Sequence, residues 1–372
     1  TIERGYAGYS FLYEKGEICV NERTRDFARL LASAGINAIA INNVNVRDGA
    51  EWLITERHRE NLKALAEVFA EYGVSMYLCI DFAAPMTIDG LSLSDPLDTQ
   101  VRQWWKDKAG ELFTEISNLG GFLVKADSEG RPGPFAYGRN HADGANMLAE
   151  AVAPYGGTII WRCFVYNCQQ DWRDEKTDRA RAGYDNFAPL DGQFAENVIL
   201  QIKNGPIDFQ VREPVHPLFG RLSRTNQILE VQAAQEYTGQ QIDVCYLVPM
   251  WKEVVDFSTG CGKEGDTVAD IIAGKTFGQT RCCIAAVSNT GNDPNWTGHD
   301  LAGANLYGFG RLAWNPALSS EEIAREWIAL QITRDPEALE VILGILLRSR
   351  EVYEKYTAPL GIGFMVNPSY HY

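Results

Sequence analysis

Eight short apolar runs, separated by longer stretches with helical spacing, constrain this chain more than any other feature. The runs are Gly5–Tyr13, Ile36–Asn42, Val74–Asp81, Gly121–Ala126, Thr158–Tyr166, Asn197–Lys203, Gln227–Ala233 and Arg281–Ser288. Several are nearly continuous in aliphatic and aromatic residues, the pattern of parallel strands covered on both faces. Between the first two, Phe27, Leu30, Leu31 and Ala34 share one helical face, with Asn21 placed as N-cap and Gly35 as the stop. Leu62, Leu65, Ala66 and Phe69 repeat the pattern before Gly73, and Val101, Trp104, Trp105, Leu112, Phe113 and Ile116 before Gly120. Ala145–Val152 and Asp178–Phe187 are shorter versions. Strand–helix alternation of this length reads as an α/β fold of the (β/α)8 TIM-barrel type. A doubly wound open sheet ranks second, and the absence of a G-x-G-x-x-G after the first run weighs against a dinucleotide site.

The connections are uneven. Tyr237–Gln279 is a long insertion after the seventh run, and Asn289–Asn315, rich in Gly and Asn, follows the eighth. Long loops at the C-terminal face of a barrel build a substrate cleft. Past Pro316 the character changes: Ser319-Ser-Glu-Glu322 reads as a capping box for a helix over Ile323–Ile332, and a second helix runs over Pro336–Lys355. This divides the chain into a catalytic barrel over residues 1–315 and the start of a helical C-terminal domain over 316–372. The chain opens almost directly on the apolar segment Tyr6–Tyr13 and ends on the aromatic, Pro-bearing stretch Gly361–Tyr372, so both ends read as interior points of a longer protein.

Bulk properties narrow the partners. With 372 residues and 45% hydrophobic content the chain is large enough for one barrel core. A formal net charge of -15 weighs against a nucleic-acid partner, which demands a basic footprint. It leaves room for an anionic substrate, because cations inside a cleft outweigh a distant net field. The chain holds no apolar run of membrane-spanning length and shows no signal-peptide pattern. Of eight cysteines, none forms a C-x-x-C pair, and Cys79, Cys163, Cys245 and Cys283 lie in apolar runs as small buried hydrophobes. That usage fits a reducing compartment, and a cytoplasmic location is the expectation. Asn295-Trp-Thr297 matches a glycosylation sequon at a frequency expected by chance.

The chemistry-bearing residues collect at the ends of the runs. Lys125-Ala-Asp-Ser-Glu-Gly-Arg-Pro-Gly-Pro134 follows an apolar run and delivers Lys125, Asp127 and Glu129 into a turn. Glu129 is a candidate general acid, since partial burial keeps a carboxyl neutral near neutral pH. Asp208 follows a Gly-Pro turn after the sixth run, and Glu236 closes the seventh. Each acid has a plainer alternative: Glu129 a solvated loop residue, against which its Pro, Gly and strand context weighs, Asp208 an Asx-turn and Glu236 a rim ion pair. Together they converge on one mouth. Lys125, Arg162 and Lys203 sit at the ends of apolar strands, where an unpaired cation is costly. They either neutralise the acids or hold a carboxylate on the substrate, for which Arg162 offers a bidentate grip. Asp81, Asn42 and Asn43 serve as sugar ligands or as loop caps. Trp161, Tyr166, Trp251 and Trp314 serve as sugar platforms or core, with core favoured for Trp161. His216 and His299 lack a spaced His partner, which weighs against a metal site.

The Lys125–Pro134 motif, Trp161-Arg-Cys-Phe-Val-Tyr166, Asp171-Trp-Arg-Asp-Glu-Lys-Thr-Asp-Arg-Ala-Arg181 and Gln201-Ile-Lys-Asn-Gly-Pro-Ile-Asp-Phe-Gln210 resemble the glycoside hydrolase family 67 α-glucuronidases. The resemblance runs over essentially the whole chain. It implies the central barrel and the first part of a helical C-terminal domain, without the N-terminal β-sandwich of that family. It further implies inverting, metal-free and cofactor-free hydrolysis of the α-1,2 bond joining 4-O-methyl-D-glucuronic acid to the terminal xylose of xylo-oligosaccharides. By motif position Glu129 is then the general acid, Asp208 and Glu236 the pair that activates water, and Lys125, Arg162 and Lys203 the contacts to the uronic acid. The resemblance leaves open which of Asp208 and Glu236 is the base, and it implies a homodimer. Two other readings compete: a metal-dependent enolase-type lyase or isomerase acting on a sugar acid, and a non-catalytic uronate-binding barrel.

Overall fold

The computed structural model describes residues 11–14, 17–47, 49–128, 130, 132–165, 173 and 179–358. A short antiparallel hairpin, β1 (Tyr13–Glu14) with β2 (Glu17–Ile18), precedes the main sheet. Among the described residues that sheet holds seven strands: β3 (Ala38–Ala40), β4 (Ser75–Ile80), β5 (Leu119–Val124), β6 (Thr158–Arg162), β7 (Val198–Lys203), β8 (Asn226–Gln232) and β9 (Ile284–Val287). Every neighbouring pair is parallel, and spatial order equals chain order from β3 to β9. A doubly wound sheet would reverse its order at a switch point. This one does not. It curls as a (β/α)8 barrel does, and the helical C-terminal region follows it. Seven of the eight expected runs are these strands; of the remaining one, residues 5–10 lie outside the described residues, and Tyr13 pairs with Ile18 in the hairpin.

The crossovers are α1 (Glu22–Ser33), α2 (Arg59–Glu71), α3 (Ala84–Asp89), α4 (Thr99–Glu115), α5 (His141–Val152) and α6 (Arg179–Phe187). Asn21 caps α1 by accepting from the Arg23 and Thr24 amides, and Thr24 completes the capping box. The faces read from the sequence point inward: Leu62, Leu65, Phe69, Trp105 and Leu112 are fully buried. Each such Leu or Phe contributes roughly 1.5–3 kcal/mol by leaving water. Every residue of β7 is buried, because helices cover its outer face and the barrel lumen its inner one.

The two long connections are not plain loops. The first contains α7 (Val248–Val255) and α8 (Val268–Ile272), and the second contains α9 (Gly303–Trp314). The glycines of α9 serve close packing. A Cβ on Gly308 would meet Val248 Cγ2 at 2.3 Å, and one on Gly310 would meet the Ala34 carbonyl oxygen at 1.7 Å. Ser319 and Glu322 form the expected capping box of α10 (Ser320–Gln331), and α11 (Pro336–Thr357) packs beside it. No described helix is long and apolar enough to cross a membrane. Cys79, Cys163 and Cys245 are buried free thiols, and burial pushes those of Cys79 and Cys245 up to about 12. Cys283, one residue before the edge strand β9, is exposed as a residue, yet burial pushes its thiol up to about 12, so the sulfur itself keeps to the expected apolar setting.

Candidate active site

Parallel strands present all their C-terminal ends on one face, and three of those ends carry cations. Lys125 follows β5, Arg162 closes β6 and Lys203 closes β7. All three are buried. They converge on the ring of Phe164: Lys203 Nζ lies 3.5 Å from its centroid, and Lys125 Nζ and Arg162 Cζ each lie 5.4 Å away. An aromatic face attracts cations, but it does not neutralise them. Buried charges need opposite charges or hydrogen bonds, and each cation has a partner. Lys125 Nζ donates to Asn45 Oδ1 at 2.6 Å. Arg162 meets Glu230 of β8 side-on, with Nε donating at 2.9 Å to Oε2 and Nη2 at 2.7 Å to Oε1. Lys203 Nζ donates to Asp208 Oδ1. Burial lowers the Lys203 ammonium pKa, Asp208 opposes that shift, and Arg162 adds to it.

Asp208 sits in the bend after β7, five residues past Lys203. Its second oxygen, Oδ2, accepts from the Tyr237 hydroxyl at 2.8 Å. Tyr237 adjoins Glu236, so this bond draws the start of the connection after β8 to Asp208. Glu236 is held by Gln232, whose Nε2 donates to Oε2 at 3.1 Å and whose Oε1 accepts the Glu236 amide at 3.2 Å. The backbone is strained in the same places. The described non-glycine residues with left-handed φ are Val46, Asp127, Phe209, Gln235, Gln240, Gln241 and Trp296, and all lie on loops that leave the C-terminal ends of strands. Each costs on the order of 1–3 kcal/mol, and such strain gathers at functional faces.

Other sequence candidates fall into supporting roles. Asp127 Oδ2 accepts from the Phe135 amide at 3.3 Å, and burial pushes its carboxyl up to about 6. Asn42 pins β3 to β4: its Oδ1 accepts from the Cys79 amide at 2.9 Å, and its Nδ2 donates to the Cys79 carbonyl at 3.0 Å. Asp81 caps a turn through the Ala83 amide, and Asn43 does so through that of Asn45. Trp161 and Trp251 are fully buried, and Trp161 Nε1 donates to His141 Nδ1 at 3.3 Å. Trp314 is exposed but lies against Gly35, before the start of β3, on the opposite face of the barrel. His216 and His299 each accept a backbone amide two residues on, and burial drives His216 down to about 3. Glu129 and Tyr166 lie outside the described residues.

Sequence reasoning missed Glu230, Phe164, Asn45, Tyr237 and Glu213. Glu230 had a signal, since it is the lone acid inside the apolar run Gln227–Ala233 and stands in register with Lys203. Glu213 accepts backbone amides from the Asp208 bend, and its neighbour Arg212 donates to Glu354 of α11 at 3.1 Å.

Two family models cover the chain end to end: the glycosyl hydrolase family 67 middle domain over residues 1–296 and the glycosyl hydrolase family 67 C-terminus over residues 297–372. The chain belongs to glycosyl hydrolase family 67. Its relatives include the Alpha-glucuronidase A of Emericella nidulans, 44% identical over 365 residues, which are 97% of this chain and 43% of that protein. The Alpha-glucuronidase of Hypocrea jecorina and the Probable alpha-glucuronidase A of Aspergillus flavus are each 44% identical over 374 residues, 100% of this chain and 44% of those proteins. The chain thus spans less than half the length of these relatives.

Proposed function

We propose that this face is the catalytic centre of an inverting α-glucuronidase, a glycoside hydrolase that cleaves the α-1,2 bond between (4-O-methyl-)glucuronic acid and the terminal xylose of xylo-oligosaccharides. The observation that carries the reading is the convergence of Lys125, Arg162 and Lys203 on Phe164, with Asp208 held beside them by Lys203 and Tyr237. Three buried cations in one mouth favour a substrate that brings its own negative charge. In a low-dielectric setting their charge-assisted hydrogen bonds to a uronate are strong and directional. Glu230 takes the Nε–Nη2 edge of Arg162 and so fixes the plane of the guanidinium. A fixed carboxylate fixes the sugar ring, which places the anomeric carbon before Asp208 and Glu236.

In this mechanism Glu129 protonates the glycosidic oxygen. A water on the opposite face of the ring loses its proton to the Asp208–Glu236 pair and attacks the anomeric carbon. Inverting enzymes separate acid and base by roughly 6.5–9.5 Å to admit that water. The test is release of the uronic acid from aldotriouronic acid, run beside the neutral α-1,2-glucosyl analogue and in the presence of a chelator. The expected result is turnover of the charged substrate only, undiminished by chelation. Turnover abolished by chelator and restored by a divalent ion would support the lyase or isomerase chemistry instead; saturable uronate binding without turnover would support a binding module.

A further inference from the structure

Glu213 has no role in the chemistry above, yet its carboxylate is built into the same corner. It is partly buried and faces the bend that carries Asp208. Its Oε1 accepts from the Ile207 amide at 2.5 Å, and its Oε2 accepts from the Asp208 amide at 3.0 Å and the Gln210 amide at 2.8 Å. Residues 204–209 form no regular element, so these amides have no ladder or helix to bond to. One side chain supplies the acceptors that a strand neighbour supplies elsewhere. Space is shaped for it: a Cβ on Gly205 would meet Glu213 Cβ, Cδ and Oε1, each at 2.6 Å. Phe209, between two of the bonded amides, holds a left-handed φ of 54°. Burial raises the Glu213 pKa, and the three amides and Lys203 oppose that shift.

We infer that Glu213 is a positioning residue that locks the backbone of the Asp208 bend, so that the Asp208 carboxylate stays registered on Lys203 and Tyr237 at the point where water is activated. The inference rests on the proposed hydrolase reading of this face. The carboxylate clamps the main chain, while Lys203 and Tyr237 clamp the side chain. Neither alone fixes both the place and the direction of the two Asp208 oxygens. A neutral amide in the same space cannot do the work of Glu213. Glutamine keeps one acceptor oxygen and turns an NH2 group against backbone N–H donors, so at least one amide is left facing a donor.

The test is steady-state kinetics of Glu213→Gln and Glu213→Asp in the full chain on aldotriouronic acid, with pH profiles and thermal midpoints, alongside Asp208→Asn. The expected result for Glu213→Gln is a kcat lower by about 10–100-fold, since an ångström of misplacement costs about that much. KM should stay near wild type, because the uronate cations are untouched. The acidic limb of kcat/KM should move to higher pH, since a carboxylate that drifts from its lysine holds its proton more tightly. Glu213→Asp, which retains the charge but shortens the reach, should recover part of the loss. Unchanged kcat and pH profile in Glu213→Gln would overturn the inference. So would a kcat loss that vanishes once corrected for the folded fraction, which is what a merely structural role predicts. If Asp208→Asn itself keeps full activity, the hydrolase reading of the bend has failed rather than the role of Glu213 within it.

Discussion

Arg162–Glu230 and Lys203–Asp208 are both buried ion pairs beneath the same mouth, and both touch Phe164 through their cation, yet they are built differently. In the first, both partners belong to regular strands, the acid is 0% exposed, and the guanidinium donates three hydrogen bonds to it. In the second, the acid has left the strand. It sits in a bend, 9% exposed, and its other oxygen faces Tyr237. An acid sealed inside a strand orients its cation and meets no water. An acid at the edge of the mouth, held on both oxygens and pinned through its backbone, can meet one. On the proposed reading, the first pair serves substrate positioning and the fold, and the second serves the chemical step.

Substitutions should separate the two pairs. Asp208→Asn should lower kcat by about 10²–10⁴-fold, the range for a general base, while the chain stays folded. Folding survives because asparagine keeps a side-chain oxygen for Lys203 and a polar group beside the Tyr237 hydroxyl. Activity assayed beside circular dichroism checks this; a stable, fully active variant breaks the comparison. Glu230→Gln should do the reverse, with about 3–5 kcal/mol lost from unfolding stability because an arginine is left buried without its acid. Urea denaturation measures that, and an unchanged free energy would mean that the pair is not part of the scaffold. Arg162→Lys keeps the charge but loses the side-on fork. Its expected effect is a rise of about tenfold in KM for the uronate, with kcat less affected.

The smallest effect belongs to Asp127, where burial dominates and the carboxyl is pushed up to about 6. Its folded pKa lies above the unfolded value of about 3.9. The folded state then binds more protons between those values, so stability falls as pH rises from about 4 to about 6. Asp127→Asn removes that penalty, and asparagine tolerates the left-handed φ of 52° found there. The thermal midpoint of this variant should exceed wild type at pH 7 and match it at pH 4. An equal shift at both values would assign the effect to something other than ionisation.

The strands were legible in the sequence because parallel strands covered on both faces leave unbroken apolar runs, and seven of them fall where the runs predict. The three cations were legible for the same reason, as charges standing at the ends of apolar segments. Glu230 was passed over although it stands inside such a run; a charge buried mid-strand is as informative as one at the end. Glu213 and Tyr237 left no trace, because their partners are backbone amides and a carboxylate brought near only by the folded bend. The helix α9 was hidden by its glycines, which read as loop residues yet serve close packing against Val248 and Ala34. Trp314 read as a sugar platform or as core, because composition does not say which end of a barrel a helix terminus reaches.

The most direct test of the account is proton NMR of the first product released from aldotriouronic acid, followed before the anomers equilibrate. Water activated at Asp208 and Glu236, opposite the leaving group, must deliver the β-anomer of the uronic acid first. An α-anomer as first product would contradict the account, since it requires attack from the leaving-group side or a covalent intermediate.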